Sequence, residues 1–160
     1  MKTHRVAARA IVSIAVLTTA VHAIAASDDD EWPEGSAMAV GNNYVKTNDY
    51  FERLLRQRQA ELVRLLAAQP DANTRLIKAI QAQQATWLRY RDDECELIGS
   101  LSGAGGSWPS TFSAQCRANL TDQRFRRFNW AIKCWNAVSA EERRFSGSRC
   151  LYQLAPLATK

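Results

Sequence analysis

Two acidic groups in this 160-residue chain are of a type that could do acid–base chemistry: the run Asp92, Asp93, Glu94 and the pair Glu141, Glu142. Two carboxylates flanking a sugar linkage are the machinery of glycoside hydrolysis. Adjacent acids on a helix point in different directions, however, and nothing around these outlines a carbohydrate groove. They are expected to be solvated helix faces paired with nearby arginines. The only histidines are His4 and His22, both in the opening segment. Once that segment is removed, no imidazole remains for general-base catalysis, a nucleophile–histidine pair or a histidine zinc site. Cys95, Cys116, Cys134 and Cys150 include no C-x2-C pair, so disulfides are preferred over a four-thiolate zinc site. No glycine-rich nucleotide motif is present. The sequence assigns no catalytic, cofactor-binding or metal-binding residue.

One stretch carries a sharper signal. In "WLRYRDDEC", residues 87–95, Trp87, Arg91 and Cys95 stand four apart and share one helical stripe that continues to Ile98. An arginine on an otherwise core-type stripe either reaches out to water or is held by acceptors from another element. Asp122 on a later helix is the expected partner, with Glu94 as a local alternative. Such a pair fixes helix register more than it adds stability.

The elements that must position these residues follow from the rest of the chain. Residues 1–25 have a basic start at Lys2, Arg5 and Arg9, an apolar run from Ala10 to Val21 and small residues at Ala23 and Ala25. They read as a signal peptide cleaved after Ala25, too short in its apolar part to span a bilayer, with no cysteine for a lipid anchor. The expected protein is periplasmic or secreted, without stable membrane insertion. The mature chain then carries 18 basic and 16 acidic side chains, a net +2. Five acids, Asp28, Asp29, Asp30, Glu31 and Glu34, open residues 26–46, expected as a flexible acidic segment ahead of a basic body of net +7.

Residues 47–160 read as one all-α domain. A first helix is expected from Asp49, capped with Glu52, to Ala68; a second from Asn73 to Ile98; a third from Phe112 to Val138. The first two are expected as antiparallel neighbours across "QPDAN". Ser139 with Glu142 forms a capping box for a short fourth helix. "GSLSGAGGSWPS", residues 99–110, holds four glycines and a proline and is expected as a flexible loop carrying Trp108. Trp108 either plugs the core or serves as an exposed anchor for a partner. Arg124, Arg126, Arg127 and Lys133 interleave with Phe125, Phe128 and Trp130 as in nucleic-acid binders. The phenylalanines share a stripe with Ile132 and Trp135, so they read as core and no nucleic-acid partner is expected. An even cysteine count in an exported chain allows three disulfide connectivities, of which the sequential one, Cys95–Cys116 and Cys134–Cys150, is preferred. Each such bridge closes a loop of about 20 residues, worth about 3 kcal/mol. The fold class is thus a small antiparallel bundle of three long helices plus a short C-terminal helix, stapled by two disulfides.

"AQQATWLRYRDDEC", the Gly/Ser-rich stretch and "CRANLTDQRFRRF" together resemble the LprI-type lysozyme-inhibitor domain family of small exported bacterial proteins. The family's pattern, roughly AQ-x-x-W-x-x-(Y/F)-R-D-x-x-C followed by C-x4-T-x2-R, falls here on Ala82, Gln83, Trp87, Tyr90, Arg91, Asp92, Cys95, Cys116, Thr121 and Arg124. The resemblance covers residues 48–128 and leaves the Cys134–Cys150 segment outside it. It implies a non-enzymatic protein that binds a protein partner, a lysozyme-type hydrolase, by occluding its cleft. Trp87, Tyr90, Arg91, Asp92, Thr121 and Arg124 are then structural motif residues. Trp108 and the acids Asp28, Asp29, Asp30 and Glu31 are the partner-binding candidates, since only the acidic segment has the charge to steer a basic hydrolase. The competing expectation is an envelope scaffold or assembly factor whose basic body meets acidic polymers or phospholipid head groups.

Overall fold

A computed structural model describes residues 32–155. Residues 1–25, expected as a signal peptide, and the acids Asp28 to Glu31 lie outside the described residues. Four helices follow in chain order: α1 (Ala37–Ala67), α2 (Thr74–Leu101), α3 (Trp108–Ala137) and α4 (Ala140–Leu151), with a 3-10 turn at Tyr152–Leu154. No strand occurs among the described residues. The all-α class, the three long helices and the short fourth are as the sequence predicts.

Three local expectations are corrected. The first concerns where α1 begins. Asp49 and Glu52 do not cap it; Ser36 does, its hydroxyl accepting from the Ala39 amide at 3.2 Å. Residues 37–46, expected within the flexible segment, are helical. Gly41, Asn42 and Asn43 are weak helix formers, and tertiary packing overrides them. A Cβ on Gly41 would lie 3.1 Å from the Thr111 hydroxyl, and that hydroxyl donates to the Ala37 carbonyl at 2.7 Å.

The second correction concerns residues 99–110. α2 continues to Leu101 and α3 starts at Trp108 with Pro109 in its first turn, so the connection is only residues 102–107. Proline suits a first turn because its missing N–H has no helical partner there. Gly103 and Gly106, at φ +65° and +62°, make the reversal. Gly99 is helical, and its role is close approach: a Cβ there would meet the Ser113 hydroxyl and come 2.6 Å from the Pro109 carbonyl oxygen.

The third concerns topology. Cross-helix pairs run 37 with 111, 48 with 121 and 51 with 125 between α1 and α3, and 95 with 113 and 84 with 124 between α2 and α3. α1 and α3 are therefore parallel, and α2 is antiparallel to both. α3, rather than α2, is the main partner of α1, and both outer helices pack on it.

The core follows the helical stripes. Leu55, Leu62 and Leu66 of α1 meet Phe128, Ile132 and Trp135 of α3, with Ile80 and Trp87 from α2 and Leu151 and Leu154 from the C-terminal segment. Phe125 packs against this cluster, beside Phe51 at a centroid separation of 5.9 Å. The buried residues at the opposite end of α3 are small: Thr111, Ser113, Ala114 and Ala118. The helices thus close tightly near the α2–α3 turn and are spaced by large side chains farther along. Cys95–Cys116 ties α2 to α3, and Cys134–Cys150 ties α3 to α4, which is the sequential connectivity. The predicted Ser139 cap on α4 forms, with the Glu142 amide donating to the Ser139 hydroxyl at 3.3 Å.

Gly99→Ala is expected to lower the unfolding free energy by about 2 kcal/mol through overpacking against α3. Gly105→Ala, where a Cβ meets nothing within 4 Å, serves as the neutral comparison in urea denaturation. Equal stability of the two variants would contradict the close approach at Gly99.

Candidate functional site

Arg91 is 5% exposed and sits where the three long helices meet. Its Nη1 donates to Glu52 Oε1 at 2.8 Å and to Thr121 Oγ1 at 2.9 Å. Its Nε and Nη2 both reach Asp92 Oδ1, at 3.0 and 2.8 Å. The Thr121 hydroxyl donates to Asn48 Oδ1 at 2.9 Å, and Asn48 Nδ2 donates to Glu52 Oε1 at 3.1 Å. α1 supplies Asn48 and Glu52, α2 supplies Arg91 and Asp92, and α3 supplies Thr121. The hydrogen bonds form a closed ring across all three. This replaces the expected partners of Arg91: Asp122 instead pairs with Arg126 one turn along, at 3.0 Å, and the carboxylates on Arg91 are Glu52 and Asp92.

Burial alone would raise the Glu52 carboxyl. The hydrogen bonds from Arg91 and Asn48, with the positive charges of Arg91 and Arg56, outweigh it and hold Glu52 below the ordinary carboxylate value. A carboxylate kept ionised and saturated by fixed donors is not available as an acid or a nucleophile. Asp92, exposed, is shared with Arg91 and Arg117, and Arg117 also reaches Glu96 at 3.5 Å, so these acids are tied up in ion pairs. Among the described residues, no group of three or more acidic, histidine or cysteine side chains is placed to hold a metal ion.

One turn along α3 lies a second buried arginine of different character. Arg124 is 1% exposed, and its acceptors are neutral: Gln84 Oε1 at 2.9 Å, the Leu154 carbonyl at 2.7 Å, and the Gln83 side-chain oxygen. Desolvation, with the Arg127 charge beside it, pulls its pKa down to about 10, still cationic at neutral pH. The Arg91 and Arg124 guanidiniums both lie over the Trp87 ring, 5.6 and 5.5 Å from its centroid, a favourable placement of cations on an aromatic face.

The structure therefore gathers Trp87, Arg91, Asp92, Thr121 and Arg124 at one place, while Tyr90 is turned outward and 56% exposed. Glu52 and Asn48 are not legible as partners of Arg91 in the sequence, because Glu52 three residues after Asp49 reads as a cap. The four-residue spacing of Asn48 and Glu52 on one helix face was the available signal.

A separate surface forms where α2 ends and α3 begins. Leu97, Ile98, Leu101 and Trp108 are all exposed there, Leu101 by 74% and Trp108 by 39%. Trp108 neither plugs the core nor hangs in a flexible loop; it opens α3 and stacks on Phe112 at 5.9 Å. Ile98, Leu101 and Phe112 line an open apolar hollow with Leu120. The platform beneath is fixed by the Cys95–Cys116 bridge, by the Ser113 hydroxyl donating to the Cys95 carbonyl at 2.9 Å, and by the Gly99 contact. In the sequence the glycine-rich composition of residues 99–110 masks the last turn of α2 and with it the exposed Leu97 and Leu101.

The family model described as lysozyme inhibitor LprI matches residues 37–128, from the first residue of α1 to Phe128 in α3. No curated protein and no solved structure matches the chain.

Because the folded value of Glu52 is lowered, its contribution to stability is complete above the ordinary value of 4.5 and is lost as pH falls below it toward the folded value. Glu52→Gln is expected to cost about 2 kcal/mol at neutral pH, as for a hydrogen bond to a charged group. That deficit should shrink as pH falls below 4.5. Denaturation of both proteins across this range checks it; a deficit independent of pH would contradict the ion pair.

Proposed function

We propose, from the premise that the chain belongs to the LprI lysozyme inhibitor family, that it is an exported, non-enzymatic protein that binds a lysozyme-type cell-wall hydrolase and occludes its cleft. The observation that carries this reading is the apolar tip of Leu97, Ile98, Leu101 and Trp108, exposed on a platform braced by a disulfide, the Ser113–Cys95 hydrogen bond and the close approach at Gly99. A rigid apolar projection loses little conformational entropy on docking, and aromatic side chains are favoured as binding hot spots. The acids Asp28 to Glu31 precede α1 in the sequence. Their charge suits long-range attraction of a basic hydrolase, which the basic body alone would repel. Disulfides and family both support export, since such bridges persist in oxidising compartments.

The basic body favours a second reading, an envelope scaffold that meets anionic polymers or lipid head groups. Steep loss of binding to anionic vesicles with added salt would support it.

The test titrates the oxidised chain into lysozymes of different classes by calorimetry and in a lysis assay. The expected result is stoichiometric inhibition of at least one class, with Leu101→Ser and Trp108→Ala each weakening binding by about 2 kcal/mol or more. Full affinity in both variants would remove the tip from the interface. Absence of binding to every class would leave the scaffold reading.

A further inference from the structure

A groove of about 440 Å³ runs between α2 and α3, lined by no residue of α1; Tyr90, its lining residue nearest the C-terminal end of α2, lies about three helical turns from Leu101. Trp87 and Tyr90 give it aromatic walls, and Thr86, Gln83 and Gln123 add hydroxyl and amide groups. Its charged lining residues are Arg124 and Arg127, and no carboxylate lines it.

That imbalance sets this place apart from the rest of the molecule. The equally buried Arg91 is answered by two carboxylates. Arg124 has only amide and carbonyl oxygens, and among the described residues neither Arg124 nor Arg127 lies within 4.0 Å of an acid. Two neighbouring cations, one almost fully desolvated, focus a positive potential into a concave space with low-dielectric walls. Arg127 is half-buried and reaches solvent, so its planar fork is free to bind a carboxylate through two parallel hydrogen bonds. Tyr90 does not contribute to the core, and its exposed ring stands at the rim. The volume lies within the range of small-molecule sites, which combine mostly apolar walls with a few convergent polar groups.

We propose that this groove binds a small organic carboxylate, its carboxylate paired with Arg127 and its flat apolar body laid against Tyr90 and Trp87. Arg124 supplies long-range attraction from beneath, because it is too buried to be the main direct contact. The groove adjoins the hollow of the tip at Leu120, which lines both; its other lining residues, Arg127 and Tyr90 among them, lie outside that hollow.

The test uses the full oxidised chain with 2-naphthoate, its neutral analogue 2-naphthamide, and inorganic phosphate, followed by amide chemical shifts in NMR titrations. Saturable shifts confined to residues 83–90 and 120–127 are expected with naphthoate, with at least tenfold weaker binding of naphthamide and of phosphate. Arg127→Gln, at a position with no ion pair to lose, is expected to weaken naphthoate about tenfold while leaving the thermal midpoint unchanged. Tyr90→Ala should weaken it severalfold. Equal affinity for acid and amide, or unchanged affinity in Arg127→Gln, would overturn the carboxylate assignment. Phosphate binding as tightly as naphthoate would overturn the flat apolar body. Shifts centred on Ile98, Leu101 and Phe112 would overturn the location.

Discussion

A guanidinium removed from water must find acceptors for its hydrogens and an opposite charge, or the helices around it will not close. Arg91 imposes that requirement at the junction of α1, α2 and α3, and Glu52, Asp92 and Thr121 meet it. The geometry is demanding because the acceptors come from three helices. Sliding α1 by one turn would put Asn48 or Arg56 where Glu52 stands and leave Arg91 without its α1 carboxylate, and sliding α3 would remove Thr121. The value of the ring lies in that selectivity, since apolar packing alone tolerates neighbouring registers at similar energy.

Arg124 applies the same constraint to the C-terminal segment. Its bond to the Leu154 carbonyl fixes the 3-10 turn after α4 against α3, while Gln83 and Gln84 hold it to α2. Trp87 lies beneath both arginines, so one aromatic ring links the two polar clusters. Around this centre the residue sizes are graded. Small residues at the start of α3 let the helices close beneath the tip, and large ones fill the distal core. The tip thereby stands on the most tightly closed part of the bundle, which suits a surface that acts by shape rather than by chemistry.

The features legible in the sequence are those carried by local spacing. The stripe containing Phe128, Ile132 and Trp135, the Ser139 cap and the shared stripe of Trp87, Arg91 and Cys95 follow from three- and four-residue steps, and the even cysteine count makes the sequential pairing the preferred one of three. Distance along the chain hid the rest. Glu52 lies 39 residues from Arg91, and its position near Asp49 mimicked a helix start. Gly41 and Gly99 look like helix breakers, yet each sits inside a helix against α3: at Gly99 the Pro109 carbonyl comes too close for a side chain, and at Gly41 the Thr111 hydroxyl would lie 3.1 Å from a Cβ. Composition signals a break at such glycines, and only the neighbouring helix explains why the break does not occur. The groove beside Tyr90 was hidden for a similar reason, since the lack of an acid near Arg124 and Arg127 is a property of the fold.

The central claim is that the Glu52–Arg91 contact couples α1 to α2 and thereby fixes the register of the bundle. A double-mutant cycle on unfolding free energy, using Glu52→Gln, Arg91→Met and the combined variant at neutral pH, tests it directly. The expected coupling energy is about 1–3 kcal/mol, as found for residues sharing one buried hydrogen-bonded network. Additive effects within about 0.3 kcal/mol, the behaviour of independent sites, would contradict it.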